Sequence, residues 1–284
     1  MTSRFLAALQ ALRPREWVKN LFVLAPLIFA GAFMEGRRLR QSVAALIAFC
    51  IAASVVYLIN DLVDREVDGR NPAKAHRPVA SKRLSPRVAV AIVVVLELIL
   101  PAIAGWTGKK TLLVILGYQA VNLLYSGFLK HIPVVDLFCV ASGFVFRVLA
   151  GAVAISVPLS FWMLNTTLCL ALYLATIKRR QEALLMGSAG RSVLRVYTVE
   201  LLDYYAFFAA VLAVVFYGMF VLTVRPSLEM TLPIVIFGFF RYRFVVVTRQ
   251  AGESPTDLVL GDWPLAATIL AWGVLCVVAM IRQF

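Results

Sequence analysis

The sequence predicts an all-α, polytopic membrane protein with about nine transmembrane helices. Of its 284 residues, 62% are hydrophobic and only 15% are charged, and the mean hydropathy is +0.87. Soluble domains are usually about half apolar and a quarter charged. Apolar runs of roughly 17 to 22 residues recur along the whole chain, and a helix of that length crosses the hydrocarbon core of a bilayer. Because the runs leave no separate soluble region, residues 1–284 are expected to form one transmembrane domain.

The apolar runs define nine predicted spans. The first and the fourth are short, and helix tilt or local thinning of the bilayer would accommodate them. In chain order the predicted spans are Val18–Phe33, Ser42–Asn60, Pro86–Trp106, Leu112–Tyr125, Pro133–Ile155, Phe161–Ile177, Tyr204–Val224, Leu232–Val247 and Trp263–Ile281.

The distribution of positive charge predicts the orientation of these spans. With Lys19, Arg87, Arg241 and Arg243 counted in the connections that adjoin their spans, 20 of the Lys and Arg residues fall on the side of the N-terminus and 7 on the other side, and Arg147 lies inside the fifth span. Positive loops stay on the cytoplasmic side of a membrane. The N-terminus and the loops after the even-numbered spans are therefore expected in the cytoplasm. Basic residues that alternate with membrane spans also argue against nucleic-acid binding, which needs a continuous basic patch.

An acidic cluster ends the second span and carries the strongest chemical signal. Asn60, Asp61, Asp64 and Asp68 follow one another in the pattern NDxxDxxxD, and on one continuous helix the three carboxylates would share a stripe. Carboxylates at a membrane boundary are costly unless they have a function, and with an amide oxygen they are suitable ligands for Mg²⁺. A helix end that pairs its acids with neighbouring arginines is the structural alternative.

Basic residues follow the acids in the next loop. Lys74 and Arg77 stand in the segment NPAKAHRP, just beyond Asp68. Magnesium and basic side chains together can hold a diphosphate and neutralise it as a leaving group. A purely topogenic loop is the alternative. Neither histidine, His76 or His131, has metal-ligand spacing, and the four cysteines show no CxxC pattern.

Further polar residues are expected on the same membrane face. Arg15 and Lys19 flank Trp17 before the first span, where an interfacial anchor is the alternative role. The fourth span ends with Tyr125, with Lys130 shortly after it. The sixth span ends in the cluster Lys178-Arg179-Arg180-Gln181-Glu182, for which a stop-transfer signal is the alternative to an anion contact.

The pattern of spans and motifs resembles the UbiA superfamily of intramembrane prenyltransferases. The resemblance rests on the nine spans, the NDxxDxxxD motif after the second and the polar cluster after the sixth, and it covers essentially the whole chain. It implies a UbiA-like helical bundle whose single transmembrane catalytic domain holds Mg²⁺ against a diphosphate. Members of the superfamily usually carry a second acidic motif, DxxxD, after the sixth span. Here the cluster from Lys178 to Glu182 replaces that motif, which argues against a prenyl diphosphate donor.

The departure matches a narrower branch of the superfamily. The segments RPREWVKN, NDLVDREVD, NPAKAHRP, YSGFLKH and IKRRQE resemble polyprenyl-phosphate phosphoribosyltransferases. This resemblance implies transfer of 5-phosphoribose from phosphoribosyl diphosphate (PRPP) to a polyprenyl phosphate of the decaprenyl type, releasing diphosphate. The product would supply lipid-linked arabinose precursors of the cell envelope. We expect an enzyme of a bacterial inner membrane whose active site faces the cytoplasm, with a homo-oligomer as one open alternative.

These inferences assign roles to the candidate residues. Asp61, Asp64 and Asp68 are expected to be catalytic metal ligands. The expected substrate-binding residues are Asn60, Lys74, Arg77, Lys19, Arg15, Tyr125, Lys130, Lys178, Arg179 and Glu182. Two other functions stay open: a prenyltransferase that joins a polyprenyl diphosphate to an aromatic acceptor, and an anion transporter.

Overall fold

A computed structural model describes residues 2–70, 74–186, 192–249 and 255–282. Within these ranges the regular structure is helical and strands are absent. The α-helices in chain order are α1 (Thr2–Ala11), α2 (Ala25–Phe29), α3 (Gly36–Val63), α4 (Arg65–Arg70), α5 (Pro86–Thr107), α6 (Lys109–Gly127), α7 (Val135–Ala154), α8 (Phe161–Met186), α9 (Val199–Val224), α10 (Leu232–Arg249), α11 (Pro255–Leu260) and α12 (Trp263–Ile281). The all-α prediction is confirmed.

Seven helical segments of the described chain are long and apolar enough to cross a membrane. They correspond to seven of the nine predicted spans: five helices contain the predicted span, Val135–Ala154 lies within the predicted Pro133–Ile155, and Trp263–Ile281 has the predicted bounds. The chain is thus a multi-pass membrane protein. The fourth predicted span lies inside α6, a helix of 19 residues that does not reach the same apolarity because it carries Gln119 and Asn122. A total of nine spans and a cytoplasmic N-terminus stay predictions.

The prediction of one continuous helix over Val18–Phe33 is wrong. This stretch forms a 3₁₀ segment (Pro14–Leu24), the short α2 and a second 3₁₀ turn (Ala32–Met34). Gly31 adopts a φ of +68°, which ends α2. Asn20 is 1% exposed and uses its side chain to bond other groups rather than to face lipid. Polar burial and the left-handed glycine therefore override the apolar pattern.

The capping residues explain where several long helices begin. Ser85, Thr198 and Asp262 precede α5, α9 and α12, and the side chain of each accepts a backbone N–H from the first turn. Such caps satisfy donors that have no partner inside the helix. Proline at the start of α5 fits for the same reason, because it has no N–H to leave unpaired.

The chain forms two compact units. The first comprises Met1–Leu27, Glu35–Ser126 and Phe146–Val157, and the second comprises Ile28–Met34, Gly127–Val145 and Pro158–Phe284. In the first unit, alanines of α3 allow close packing against α5 and α6 around Phe49, whose ring centroid lies 4.6 Å from that of Tyr118. In the second, α8 and α9 pack along most of their length around Tyr173 and Ile177.

One glycine of the first unit permits a very close approach of two backbones. A Cβ built on Gly151 of α7 would lie 1.9 Å from the carbonyl oxygen of Val23. We therefore expect Gly151→Ala to lower the free energy of unfolding by about 1 to 3 kcal/mol, because two backbone segments must separate. Gly105→Ala is the matched control, since its Cβ would meet nothing within 4 Å. Thermal unfolding of both variants in detergent tests this, and equal stability would contradict the close packing.

Candidate active site

The acidic cluster lies at the junction of α3 and α4. Asn60 and Asp61 belong to the last turn of α3, Asp64 is its C-terminal cap with φ −88° and ψ 4°, and Asp68 lies in α4. The backbone N–H of Asp64 bonds the Asn60 carbonyl at 2.9 Å, and that of Asp68 bonds the Asp64 carbonyl at 2.8 Å. The carboxylates therefore do not share one regular helix, as the predicted stripe required. The cap at Asp64 interrupts it and begins a new short helix.

Two of the three carboxylates are buried and held by one arginine. Asp61 and Asp68 are each 2% exposed. Arg77 Nη1 lies 2.6 Å from Asp68 Oδ2 and 3.3 Å from Asp61 Oδ1. Lys74 Nζ lies 3.7 Å from Asp68 Oδ1. The structure thus brings together the predicted acids and the predicted cations of the following loop; Asn71, Pro72 and Ala73 of the NPAKAHRP segment lie outside the described residues.

Sequence reasoning missed Arg13, which makes the shortest contact with the acidic cluster. Its Nη2 donates to Asp61 Oδ1 at 2.5 Å, and its guanidinium lies 4.8 Å from the centroid of the Tyr57 ring. Arg13 adopts a left-handed φ of +53°, an uncommon conformation for a non-glycine residue. Arg13 belongs to the same RPREW stretch as the predicted Arg15, and it directly precedes the 3₁₀ segment that begins at Pro14. This stretch was therefore the only sequence pattern that could have indicated Arg13.

The two predicted cations of this segment make different contacts. Lys19 forms an ion pair with Glu16, three residues away. Arg15 is exposed. Trp17 anchors the segment to α3, because its indole N–H donates to Ser54 Oγ at 3.1 Å. The structure therefore places Arg13 at the acids, while Arg15 and Lys19 lie on the accessible side of the segment.

Two oxygen atoms of the cluster are suited to a metal ion. Asn60 Oδ1 and Asp61 Oδ2 are buried and accept no hydrogen bond. An unpaired buried acceptor is costly, and a cation or water normally satisfies it. Within the described ranges no group of three or more His, Cys, Asp or Glu side chains is assembled as a metal site. Mg²⁺ commonly takes one or two protein oxygens and completes its shell with water and substrate phosphates, so the donor set fits this ion.

The second polar cluster is built around Arg179 in the second unit. Arg179 Nε donates to Asp136 Oδ2 at 2.8 Å and its Nη1 to Glu182 Oε2 at 2.6 Å. Tyr197 Oη donates to Asp136 Oδ1 at 2.8 Å and accepts the Val134 N–H at 2.6 Å. Burial, together with the Asp136 carboxylate, raises the pKa of the Tyr197 phenol.

The contacts of Arg179 give the segment from Lys178 to Glu182 a structural role in addition to the predicted binding of an anion. Arg179 is 3% exposed and is held between two carboxylates, so it secures α8 to α7 and to the next turn of α8 itself. Lys178 is exposed. The partner of Asp136 could not be known from the sequence, because Arg179 is 43 residues away. Tyr125 and Lys130 are both partly exposed.

The mid-span charge at Arg147 pairs across helices. Arg147 Nε donates to Asn20 Oδ1 at 2.8 Å, and Asn20 in turn donates to Cys50 Sγ at 3.2 Å. The guanidinium lies 5.1 Å from the Phe49 ring centroid and 5.3 Å from that of Tyr118. Aromatic faces and an amide oxygen stabilise a buried cation. Arg147 thus ties α7 to α3, to α6 and to the segment before α2.

Comparison with known proteins identifies the family. The model of the UbiA prenyltransferase family matches residues 23–259. A protein named decaprenyl-phosphate phosphoribosyltransferase from Mycolicibacterium smegmatis is 34% identical over 93% of this chain and 89% of its own. The protein of that name from Corynebacterium glutamicum is 33% identical over 96% of this chain and 86% of its own. The chain belongs to the UbiA prenyltransferase family. It is therefore a member of a family of membrane transferases.

A solved structure supports the UbiA fold. The structure of a UbiA homologue from Archaeoglobus fulgidus bound to GPP and Mg²⁺ matches with a TM-score of 0.74, at 21% identity, over 95% of this chain and 99% of that one. At this identity the match establishes the fold alone. The predicted family resemblance is confirmed.

The environment of Arg179 predicts a large structural effect. We expect Arg179→Gln to lower the free energy of unfolding by about 3 to 5 kcal/mol, because it leaves the buried Asp136 carboxylate without its cation. Lys178→Gln, at the exposed neighbouring position, should change stability by no more than about 0.5 kcal/mol. Thermal unfolding in detergent measures both. An Arg179→Gln variant with parental stability and weakened binding of substrate would instead give this guanidinium a direct ligand role.

Proposed function

We propose that this chain transfers 5-phosphoribose from PRPP to a polyprenyl phosphate of the decaprenyl type, with Mg²⁺ as cofactor. The observation that carries the proposal is the similarity to decaprenyl-phosphate phosphoribosyltransferases across nearly the whole length of both proteins. The product, a lipid-linked phosphoribose, would supply arabinose donors for the cell envelope. The reaction takes place at the cytoplasmic face of a bacterial inner membrane, where the basic loops and the acidic cluster are expected.

The acidic cluster is the proposed site of the donor diphosphate. Asn60 and Asp61 offer unpaired buried oxygens, and Asp64 and Asp68 extend the acidic surface. These four residues would hold Mg²⁺, which supplies charge neutralisation of the departing diphosphate when bound. Arg13, Lys74 and Arg77 already surround the carboxylates. These cations would bind phosphate oxygens once a metal ion neutralises the carboxylates.

The transfer is a displacement at the anomeric carbon of the ribose. The bond between that carbon and a diphosphate oxygen breaks, and a bond from the same carbon to an oxygen of the lipid phosphate forms. Attack opposite the leaving group inverts the configuration. Because the nucleophile is already an anion, the residues need not remove a proton, and positioning with electrostatic stabilisation carries the rate. This is consistent with an acidic and basic site that contains no histidine assigned to catalysis.

Polar residues outside the acidic cluster are the other proposed substrate contacts. Lys178 is the exposed cation of the cluster in the last turns of α8, and Glu182 is 12% exposed in its side chain while it orients Arg179. We assign Lys178, Lys130 and Tyr125 to phosphate or ribose groups, with Arg15 and Lys19 as cations of the N-terminal segment. Arg179, the other predicted cation of this segment, holds Glu182 and Asp136 in place. An arginine in this role keeps two carboxylates in place through separate nitrogens.

The main rival is a prenyltransferase that joins a polyprenyl diphosphate to an aromatic acceptor. It would use a second acid pair at the positions from Lys178 to Glu182. That segment holds a single acid, and the acid is bound to Arg179 at 2.6 Å. The position therefore favours binding of an anion over binding of a second metal ion.

The direct test is transfer of radiolabel from PRPP labelled in its ribose into an organic-extractable lipid. Purified protein, Mg²⁺ and decaprenyl phosphate should give labelled lipid and free diphosphate, and EDTA should abolish both. Consumption of a polyprenyl diphosphate with an aromatic acceptor, and no label in lipid, would replace the proposal with the rival function.

Substitution of Asp61 tests the metal site. We expect Asp61→Asn and Asp64→Asn to reduce turnover by at least about 100-fold, because they remove charge that the metal ion and diphosphate require. Binding of Mn²⁺ by electron paramagnetic resonance should weaken in parallel, which separates metal loss from other causes. Glu66→Gln is the matched control, because Glu66 lies on the same segment with a side chain that is 78% exposed. Parental Mn²⁺ binding in both Asp variants would remove the acidic cluster from the mechanism.

A further inference from the structure

A cationic cluster lies where the ends of α8, α9 and α10 meet in the second unit. Asp203 Oδ1 accepts a hydrogen bond from Arg180 Nε at 2.6 Å and another from Arg243 Nη2 at 2.6 Å. Two guanidinium groups therefore share one carboxylate, which leaves an excess of one positive charge. The side chains of Arg243 and Asp203 are 35% and 32% exposed, so the cluster has an open edge.

Three buried polar atoms on α8 and α10 have no partner in the described residues. They are Arg243 Nη1 and the hydroxyl oxygens of Tyr173 and Tyr242. Tyr173 is 3% exposed and Tyr242 is 6% exposed, and their ring centroids lie 5.6 Å apart. Tyr242 precedes Arg243 in α10, and the Arg243 guanidinium is close enough to Tyr173 to interact with it electrostatically.

These unpaired atoms share one chemical property. A guanidinium nitrogen only donates hydrogen bonds, and a phenol hydroxyl readily donates one. Buried polar groups in proteins are nearly always paired, so three such atoms beside an excess positive charge indicate a ligand rather than packing. The ligand must be an anion that accepts several hydrogen bonds. Arg is the residue that recognises phosphate in this way, because its planar fork matches two phosphate oxygens.

We propose that Arg180, Arg243, Tyr173 and Tyr242 form a binding site for a phosphate monoester. Asp203 is a positioning residue that fixes both guanidinium groups. The inference rests on the proposed function, whose two substrates each carry a phosphate monoester: the 5-phosphate of PRPP and the phosphate of the lipid. Arg180 follows the proposed contact Lys178 by two residues in α8, and the cluster consists of residues that this contact does not include.

A neighbouring arginine cluster provides the internal comparison. Arg241, two residues before Arg243, donates from Nε and Nη2 to the two oxygens of Asp262, each at 2.9 Å. Arg249 completes that cluster with a bond of 3.0 Å to Asp262 Oδ2. Its carboxylate is thus engaged through both oxygens, and unpaired buried atoms are not found there in the described residues. Two arginines on the same helix therefore differ in whether a donor is left for a ligand.

The experiment measures binding of two phosphate monoesters by the full-length protein in detergent. Ribose 5-phosphate represents the donor side and farnesyl phosphate the lipid side. Tyr173→Phe, Tyr242→Phe and Arg243→Gln should each weaken the Kd of one of these two probes by about tenfold or more, since each removes a hydrogen bond to a charged group. The probe that is affected identifies which phosphate occupies the site.

Thermal unfolding separates this role from a structural one. The two Tyr→Phe variants should unfold at the same temperature as the parent or higher, because they remove a hydroxyl that is unpaired without ligand. Tyr217→Phe is the matched control: its hydroxyl is bonded to Thr231 and Trp272, so the variant should lose stability and keep parental Kd values. Arg241→Gln should likewise keep them within twofold.

The proposal is overturned if Tyr242→Phe and Arg243→Gln bind both probes within twofold of the parent, or if the Tyr→Phe variants lose stability as Tyr217→Phe does. Because equilibrium binding needs no turnover, this result is independent of the transfer assay. A protein that binds a phosphate monoester through Arg243 and yet transfers no phosphoribose would keep this site and refute the proposed function.

Discussion

The constraint on which this structure depends is the neutralisation of carboxylates that have left bulk water. Asp61, Asp68, Asp136 and Asp262 are each no more than 2% exposed, in a chain built almost entirely from apolar helices. Each of them contacts at least one arginine. A charge buried without a partner costs several kcal/mol, so these ion pairs determine which helix ends can lie together.

The ion-paired clusters differ in the sign of their net charge. Arg179 faces two carboxylates, Asp136 and Glu182, and all three are buried or nearly so; such a cluster secures helices. Around Asp203 the balance is reversed, because two arginines share one carboxylate. An excess of positive charge beside unpaired donors attracts anions. The net charge of +13 is a total over the whole chain and does not show which clusters are positive and which are negative.

Much of the fold could be predicted from the sequence because the membrane imposes a simple rule. Apolar runs of sufficient length form helices, and seven of the nine predicted spans coincide with helices that fulfil the criteria of length and apolarity. The rule failed over Val18–Phe33, where Asn20 turns inward to Arg147 and Gly31 takes a left-handed conformation. Both causes are tertiary: one is a partner 127 residues away, and the other is a backbone angle that glycine permits but does not require.

The candidate site was predictable to the extent that its residues are near one another in the chain. Asn60 to Asp68 and the cations Lys74 and Arg77 form a local pattern, and the structure brings Asp61, Asp68, Lys74 and Arg77 into contact. Arg13 could not be ranked above Arg15, because only the left-handed turn before Pro14 directs it to Asp61. For the same reason Arg179 looked equivalent to its neighbours, although adjacent positions on a helix point in directions about 100° apart.

This difference between neighbours suggests how one short basic segment serves two purposes. In the sequence Lys178-Arg179-Arg180, the middle residue is buried against Asp136, and Arg180 bonds Asp203 from α9. Removal of the charge at Arg179 would therefore change the position of α8, while removal at Arg180 would change the charge that α8 offers together with α10. Basic residues in this segment therefore do more than reverse the sign of its charge. The buried ion pair of Arg179 with Asp136 fixes this part of α8, and the other cations of the segment are thereby held at defined positions. A flexible basic loop could not hold them in this way.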